Sequence, residues 1–247
     1  MTYLILPDIH LCHNKAEKII KHEACDKIIC LGDEMDDYND DPTQVKETAE
    51  WLTWSVNQKN RLHVVGNHLV SYINKNFACS GWEQWKQIIV DQYCNWDKTW
   101  SKMRWFANLD NQYILSHAGL TAQALPVLPE YNISTISNWL ENQSEQATVN
   151  IRSNKNHWFY KAGFSRGGNM PYGGLVWCDF SEFKPINNVS QVMGHNPRDS
   201  KNRNENSFII RGENSNNIDL DTIGHLNRYA VYDSNSKTLL VKYYENL

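Results

Sequence analysis

No run of apolar residues in this 247-residue chain approaches the roughly 20 that a bilayer-crossing helix needs, so no membrane partner is expected. The opening residues Met1-Thr2-Tyr3-Leu4-Ile5-Leu6-Pro7 lack both the leading basic segment and the apolar length of a secretory signal. None of the six cysteines, Cys12, Cys25, Cys30, Cys79, Cys94 and Cys178, stands in a CxxC pair. A reducing, cytoplasmic setting is therefore expected, with the thiols acting as small buried hydrophobes; Cys12, two residues beyond His10, is the one to watch. No Pro/Gly/Ser-rich linker divides the chain, so residues 1–247 read as one domain. There is no basic surplus either. A formal net charge of −4 and a pI near 6.1 give no global pull toward nucleic acid, so phosphate affinity must come from a local site. What the chain does have is 41% hydrophobic residues, enough to bury a sizeable core.

Short apolar runs at residues 3–6, 27–31, 62–65, 113–115 and 189–193 read as β-strands. Asn14 is expected to cap a helix to about residue 21, and Pro42-Thr43 to open another to about residue 57, which makes two βαβ units with parallel pairing. Residues 106–108 and 113–115 read as a hairpin. Residues 173–177, 207–210, 229–232 and 238–243 read as further strands, and 196–217 as surface loops rich in Asn, Arg and Lys. Between them, 121–165 turns helical and polar and suits a cap over a site. The spacing of Trp82, Trp85, Ile88 and Ile89 fits one helical face, which is expected to pack in the core rather than offer a stacking platform.

Five segments each follow one of those strands: Asp8-Ile9-His10, Gly32-Asp33-Glu34-Met35-Asp36, Gly66-Asn67-His68, His117-Ala118-Gly119 and Gly194-His195-Asn196. Ligands collect beyond the carboxyl ends of strands in α/β sheets, so five strand-end segments can converge on one place. Asp8, His10, Asp33, Asn67, His117 and His195 together make a hard-oxygen and imidazole inventory suited to two divalent cations about 3.5–4 Å apart. Asp-x-His on an extended backbone would send both side chains to one side. Taken singly, each of these residues is as well explained by a cap, a turn or a satisfied histidine; the ordered set is not.

These motifs resemble those of the calcineurin-like metallophosphoesterases, within them the phosphoprotein phosphatase branch with its bacterial and phage phosphatases and diadenosine tetraphosphatases. The branch's Asp-x-His-Gly, Gly-Asp-x-x-Asp-Arg-Gly, Gly-Asn-His-Glu, His-Ala/Gly-Gly and Gly-His-Thr-Pro stand here as DIHLC, GDEMDDY, GNHLV, HAGL and GHNP. The resemblance implies an α/β fold of four layers, α/β/β/α, with two mixed β-sheets flanked by helices. It implies that Asp8 and His10 hold a first metal, that Asp33 bridges, and that Asn67, His117 and His195 hold a second. Mn is the metal of first choice, with Fe and Zn equally suited to such ligands. His68 would be the general acid oriented by Asp36, a role that fits a histidine beside a ligand whose pKa a carboxylate can tune. Pro197, where a second histidine would mark cyclic nucleotide and nuclease branches, favours the phosphatases.

The chain departs from the branch at Leu11 for Gly, Asp37 for Arg and Leu69 for Glu. With that Arg missing, Arg166 in Ser165-Arg166-Gly167-Gly168 becomes the candidate phosphate clamp, with Arg152 in reserve and Asp179 as a partner for Arg166 or His195. His13 lies near enough to His10 to be a site neighbour; His22, His63, His157 and His225 carry no motif. The expected function is hydrolysis of phosphomonoesters, on phosphoserine or phosphothreonine proteins or on nucleotides, by metal-activated water. The alternatives are a dinucleoside polyphosphate hydrolase, a nucleic-acid end phosphatase drawing on Trp residues and the 201–211 loop, and a catalytically silent binding scaffold.

Overall fold

Alternation of apolar side chains along the first strand sets the layering. In the computed structural model, which describes residues 1–37, 40–196, 208–223 and 228–244, β1 (Thr2–Leu6) gives Ile5 to one cluster and Leu4 and Leu6 to another. Ile5 meets Ile29, Leu115, Val192, Ile218 and Ala230 between two sheets, whereas Leu4 and Leu6 join Ile28, Ala16, Ile19, Val45, Ala49 and Leu52 beneath helices. A period of two thus feeds both cores from one strand.

The first sheet runs β10-β9-β1-β2-β3 and the second β4-β5-β6-β8-β7. Their members are β2 (Lys27–Cys30), β3 (Arg61–His63), β9 (Arg228–Asp233) and β10 (Thr238–Tyr243), then β4 (Phe106–Leu109), β5 (Tyr113–Ser116), β6 (Gln191–Met193), β7 (Ile209–Gly212) and β8 (Ser215–Asp219). β1, β2 and β3 are parallel, as are β5, β6 and β8, and the remaining pairings are antiparallel. Helices α1 (His13–Glu23) and α2 (Pro42–Ser55) cover the first sheet, and α5 (Ile133–Arg152) packs Ile133, Ile136 and Leu140 into the core with Phe106 and Ile114 of the second. The result is the expected four layers with two mixed sheets. Helices α3 (Asn67–Ile73) and α4 (Gln84–Tyr93) fill the gap between β3 and β4.

Local chemistry explains most boundaries. Asp41 accepts from Thr43 N and Gln44 N while Gln44 reaches back to Asp41 N, a complete capping box in front of Pro42. The β4–β5 hairpin turns at Asp110 and Asn111, with φ of 52° and 53°, the residue types that tolerate the left-handed region. Four expectations change. Asn14 is not a cap: α1 begins at His13, and Cys12 at its N-cap makes no side-chain bond. Residues 173–177 form turns, since Gly173 and Gly174 lie so close to the carbonyls of Trp177 and Trp158 that a Cβ would fall 1.9 Å from each. Polar β8 sits inside the stretch read as loops, held by pairing between β6 and β7. The buried face of α4 carries Lys86 and Val90 while Ile88 is exposed, although Trp82, Trp85 and Ile89 do pack against the core.

All six cysteines are free thiols. No helix among the described residues is long and apolar enough to cross a membrane. His225 and residues 201–207 lie outside the described residues.

His157 is buried beside Trp158, Phe159 and Tyr160, and its Nδ1 accepts from Phe159 N at 3.3 Å, which requires an uncharged ring nitrogen. Burial, aided by Lys161, pushes its pKa down to about 4. A histidine depressed on folding contributes stability that is present above its unfolded value near 6.5 and is lost as pH falls toward 4. The loss should be on the order of 1–2 kcal/mol, given partial solvent screening. Urea midpoints at pH 7 and 4.5 check this: His157→Gln should flatten the difference, and an unchanged difference would exclude His157 as its source.

Candidate metal centre

The parallel strands of both sheets end at one crevice, so the loops after β1, β2, β3, β5 and β6 bring Asp8, Asp33, Asn67, His117 and His195 together. Two of the loops wrap around carboxylates. Asp33 Oδ1 accepts from His68 N at 3.0 Å and lies 2.0 Å from where a Cβ on Gly66 would be. Asp8 accepts from His195 N through Oδ1 at 3.0 Å and Oδ2 at 2.9 Å, and a Cβ on Gly194 would lie 2.2 Å from Oδ1. The glycines of Gly-Asn-His and Gly-His-Asn are thus required because a carboxylate occupies the space of their side chain.

The backbone is bent at the same places. His10, Leu11, Asp33, Asp36 and His195 have φ of 40°, 60°, 46°, 68° and 75°. Asp8 and His10 therefore converge through a left-handed turn, not along an extended strand end, with His10 Nε2 3.8 Å from Asp8 Oδ2. Leu11 occupies a left-handed position where the resemblance has glycine.

One donor atom each from Asp8, Asp33, His117 and His195 lies within 4.8 Å of the others, and the same holds for His10, Asp33 and His68. Asp33 belongs to both groups. His117 is the hub of the first: Nε2 is 3.1 Å from Asp33 Oδ2, 2.9 Å from Asn67 Oδ1 and 3.2 Å from His195 Nδ1. Its Nδ1 is 2.9 Å from Leu31 O and 3.4 Å from Asp8 Oδ1. Asn67 directs Oδ1 to this cluster because its Nδ2 donates to Cys79 Sγ at 3.2 Å.

Charges in the cluster shape its proton occupancy. Burial would raise Asp33, but His117, His68 and His10 hold it far below the usual carboxylate range. Burial pushes Asp8 well up, with His117 opposing and Asp33 adding to the rise. His117 is pulled down by burial yet raised to about 9 by Asp33 and Asp8. Burial, then the charges of His117 and Arg166, push His195 well below its ordinary value.

Does this set fit divalent cations? Asp8 and Asp33 are each 1% exposed, and among the described residues no Lys or Arg pairs with either. Buried carboxylates are normally paired or bind metal. His195 Nε2 is buried with no hydrogen-bond partner among the described residues. Carboxylate, imidazole and amide oxygens with an orphaned ring nitrogen are a donor set for such cations, which would displace the protons now shared among these groups.

Beside the cluster, Asp36 serves two histidines. Its carbonyl lies 2.6 Å from His10 Nδ1 and its Oδ2 lies 3.0 Å from His68 Nδ1, leaving both Nε2 atoms toward the crevice side. Burial would lower His68, but Asp33, Asp36 and Cys79 raise it well above its ordinary value. Arg166 is gripped by Asp179 Oδ2 at 2.7 Å from Nε and by Asn196 Oδ1 at 2.9 Å from Nη2, so it is tied to the residue next to His195. Asp179 also caps Ser181 N at 2.9 Å.

Other candidates lie elsewhere. Arg152 stacks over Trp96 at 5.1 Å, and His13 bonds Thr48 at 3.0 Å and stacks on Trp51. Cys12 is half-buried against the core. Leu69 is fully buried there, and Asp37 is exposed. Sequence reasoning missed Glu34, Tyr72, Cys79, Lys86 and Asn196. Glu34 and Asn196 stand within the quoted motifs and were legible as neighbours; Tyr72, Cys79 and Lys86 carry no local signal.

Strand-end loops of two mixed sheets meeting around buried carboxylates, imidazoles and an amide define a metal-dependent phosphate ester hydrolase. The chain belongs to the calcineurin-like phosphoesterase family, whose model matches residues 1–244. Among solved structures it is similar to a cold-active protein-tyrosine phosphatase of a psychrophilic Shewanella, at TM-score 0.61 and 13% identity over 97% of this chain and 80% of that one. It is also similar to a serine/threonine phosphatase from Saccharomyces cerevisiae, at TM-score 0.50 and 11% identity over 100% of this chain and 80% of that one. At these identities the likeness concerns the fold. No curated protein matches the sequence.

Proposed function

We propose that the protein is a binuclear phosphomonoesterase acting on phosphorylated proteins or nucleotides. Asp8 and His10 would hold one divalent cation, Asn67, His117 and His195 the other, and Asp33 would bridge, with Mn favoured and Fe or Zn compatible with the same ligands. Cations bound there supply Lewis-acid polarisation of phosphoryl oxygens and a lowered pKa for water. The observation that best supports this reading is that Asp33 belongs to both groups of candidate donor atoms, although the structure groups Asp8 with His117 and His195 and sets His68 beside His10. His68, held at Nδ1 by Asp36, would give the Nε2 proton to the departing oxygen. Arg166, preset by Asp179 and Asn196, would grip two phosphoryl oxygens with its remaining N–H groups.

Within residues 121–165, read as a cap, α5 packs on the second sheet, and we take the turn that follows it as the part that borders the site. In support, Asn154 and Lys155 bond Asn74, Lys75 and Asn76, the loop that leads to Cys79 and so to Asn67. The Trp82–Trp105 stretch adds no support for a nucleic-acid role, since Trp82, Trp85 and Trp96 are partly buried against the core and Trp100 and Trp105 are buried in it.

The deciding experiment is hydrolysis with Mn²⁺ of an aryl phosphomonoester, an aryl phosphodiester, a phosphothreonine peptide and diadenosine tetraphosphate. Turnover of the two monoesters supports the proposal. Preference for the dinucleotide would replace it with a dinucleoside polyphosphate hydrolase, and silence on all four with a scaffold.

Arg166→Ala should lower kcat/KM for the preferred monoester by about 10- to 100-fold, the scale of losing one charge-assisted bidentate contact, with KM carrying most of the change. Steady-state kinetics check this, and an unaltered KM would remove Arg166 from the phosphate site.

A further inference from the structure

Asp36 has more partners than orienting one histidine requires. While Oδ2 faces His68, Oδ1 accepts from the Tyr72 hydroxyl at 2.5 Å and lies 3.6 Å from Lys86 Nζ. Lys86 comes from α4, far from every motif, and is 1% exposed. Its ammonium also meets Asp40 Oδ2 at 2.6 Å and donates to Gly81 O at 2.6 Å, so it has two close oxygens and a longer ion pair to Asp36. A lysine is buried at such cost only when paired this fully. Burial and the charge of Asp36 push the Tyr72 phenol well up, which keeps it a donor. The loop closes over the group: a Cβ on Gly81 would lie 3.2 Å from Asp36 Cβ.

We propose that Tyr72 and Lys86 are positioning residues for proton delivery, an inference that rests on the assignment of His68 as the acid. Tyr72 by its hydrogen bond and Lys86 by its charge hold Oδ1, which leaves Oδ2 facing His68. The carboxylate then cannot rotate between its oxygens, and the imidazole is held in one orientation with the Nε2 proton toward the leaving group. The cation that the resemblance places after the second Asp of the motif is Asp37 here; Lys86 brings a positive charge to Asp36 from another helix, turned to the acid instead of the phosphate.

Leaving-group dependence separates positioning from mere stability, because a phenolate such as p-nitrophenolate departs without a proton and an alkoxide does not. His68→Asn, Tyr72→Phe and Lys86→Met are compared on p-nitrophenyl phosphate and on a phosphothreonine peptide. His68→Asn should lose about 100-fold or more in kcat on the peptide and far less on the aryl ester. Tyr72→Phe and Lys86→Met should show the same pattern at about tenfold, with KM unchanged. Should Lys86→Met fail to fold, Tyr72→Phe, which removes a single oxygen and keeps the ring, decides alone. Equal losses on both substrates, or none, in Tyr72→Phe would overturn the positioning role while leaving His68 in place. Absence of leaving-group dependence in His68→Asn itself would remove the acid assignment and this inference with it.

Discussion

Asp33→Asn is expected to abolish phosphatase turnover, by more than about a thousandfold, while the protein stays folded. The substitution keeps the oxygen that accepts from His68 N, so the start of α3 remains tied to the loop after β2. What it removes is the charge shared by both groups of candidate donor atoms, and it can turn an amide N–H toward His117 Nε2, now 3.1 Å from Oδ2. Metal content by elemental analysis should fall together with activity, and circular dichroism should match the wild type. Retained turnover would show that the crevice is not the reaction centre. A protein that loses metal but keeps a binding partner, with a wild type inactive on every phosphoester, would instead be a scaffold.

The second large effect lies one residue further on and concerns stability. Glu34 and His63 are buried, with Oε1 2.7 Å from Nδ1, and His63 Nε2 lies 2.8 Å from Ser55 Oγ. The pair ties the loop after β2 to the end of β3, directly beneath Asp33 and Asn67. Glu34→Ala should cost about 3–5 kcal/mol, because it strands a buried imidazolium, and for a chain of this size that amounts to roughly 10 °C in Tm. Since Glu34 Oε2 has no hydrogen-bond partner among the described residues, the pair is incompletely satisfied, and Glu34→Leu combined with His63→Leu should recover most of the loss. Burial alone would lower His63, but Cys30 and Glu34 raise it to about 10. A histidine raised on folding contributes stability that is complete below its unfolded value near 6.5 and disappears as pH climbs toward 10. Chemical denaturation across that range checks the sign. A pH slope equal in wild type and the double variant would mean that the ring is neutral in the folded protein.

Much of the chemistry was legible in the chain itself. Asp8, Asp33, Asn67, His117 and His195 each follow a strand announced by a short apolar run, and parallel strands carry whatever follows them to the same edge. The glycines of those motifs were equally readable, though their reason was not: only the folded chain sets the Asp33 carboxylate against Gly66 and that of Asp8 against Gly194. The strand β8 was hidden because Ser215-Asn216-Asn217 has the composition of a turn, and its pairing comes from neighbours already in place. Lys86 carries no local signal of its burial, since a charged side chain in a helix is normally exposed. Its burial depends on Asp36, Asp40 and Gly81 meeting α4 in space. The sequence by itself determined the strands that precede the five motifs, the order of those loops and hence the reaction class, since these are set by short apolar runs and turn chemistry over a few residues. Only the tertiary structure decided that Tyr72 and Lys86 meet Asp36, that Asn196 joins Asp179 on Arg166 and that His63 braces the loop at Glu34, because those partners lie far apart along the chain and become neighbours only when sheets and helices pack.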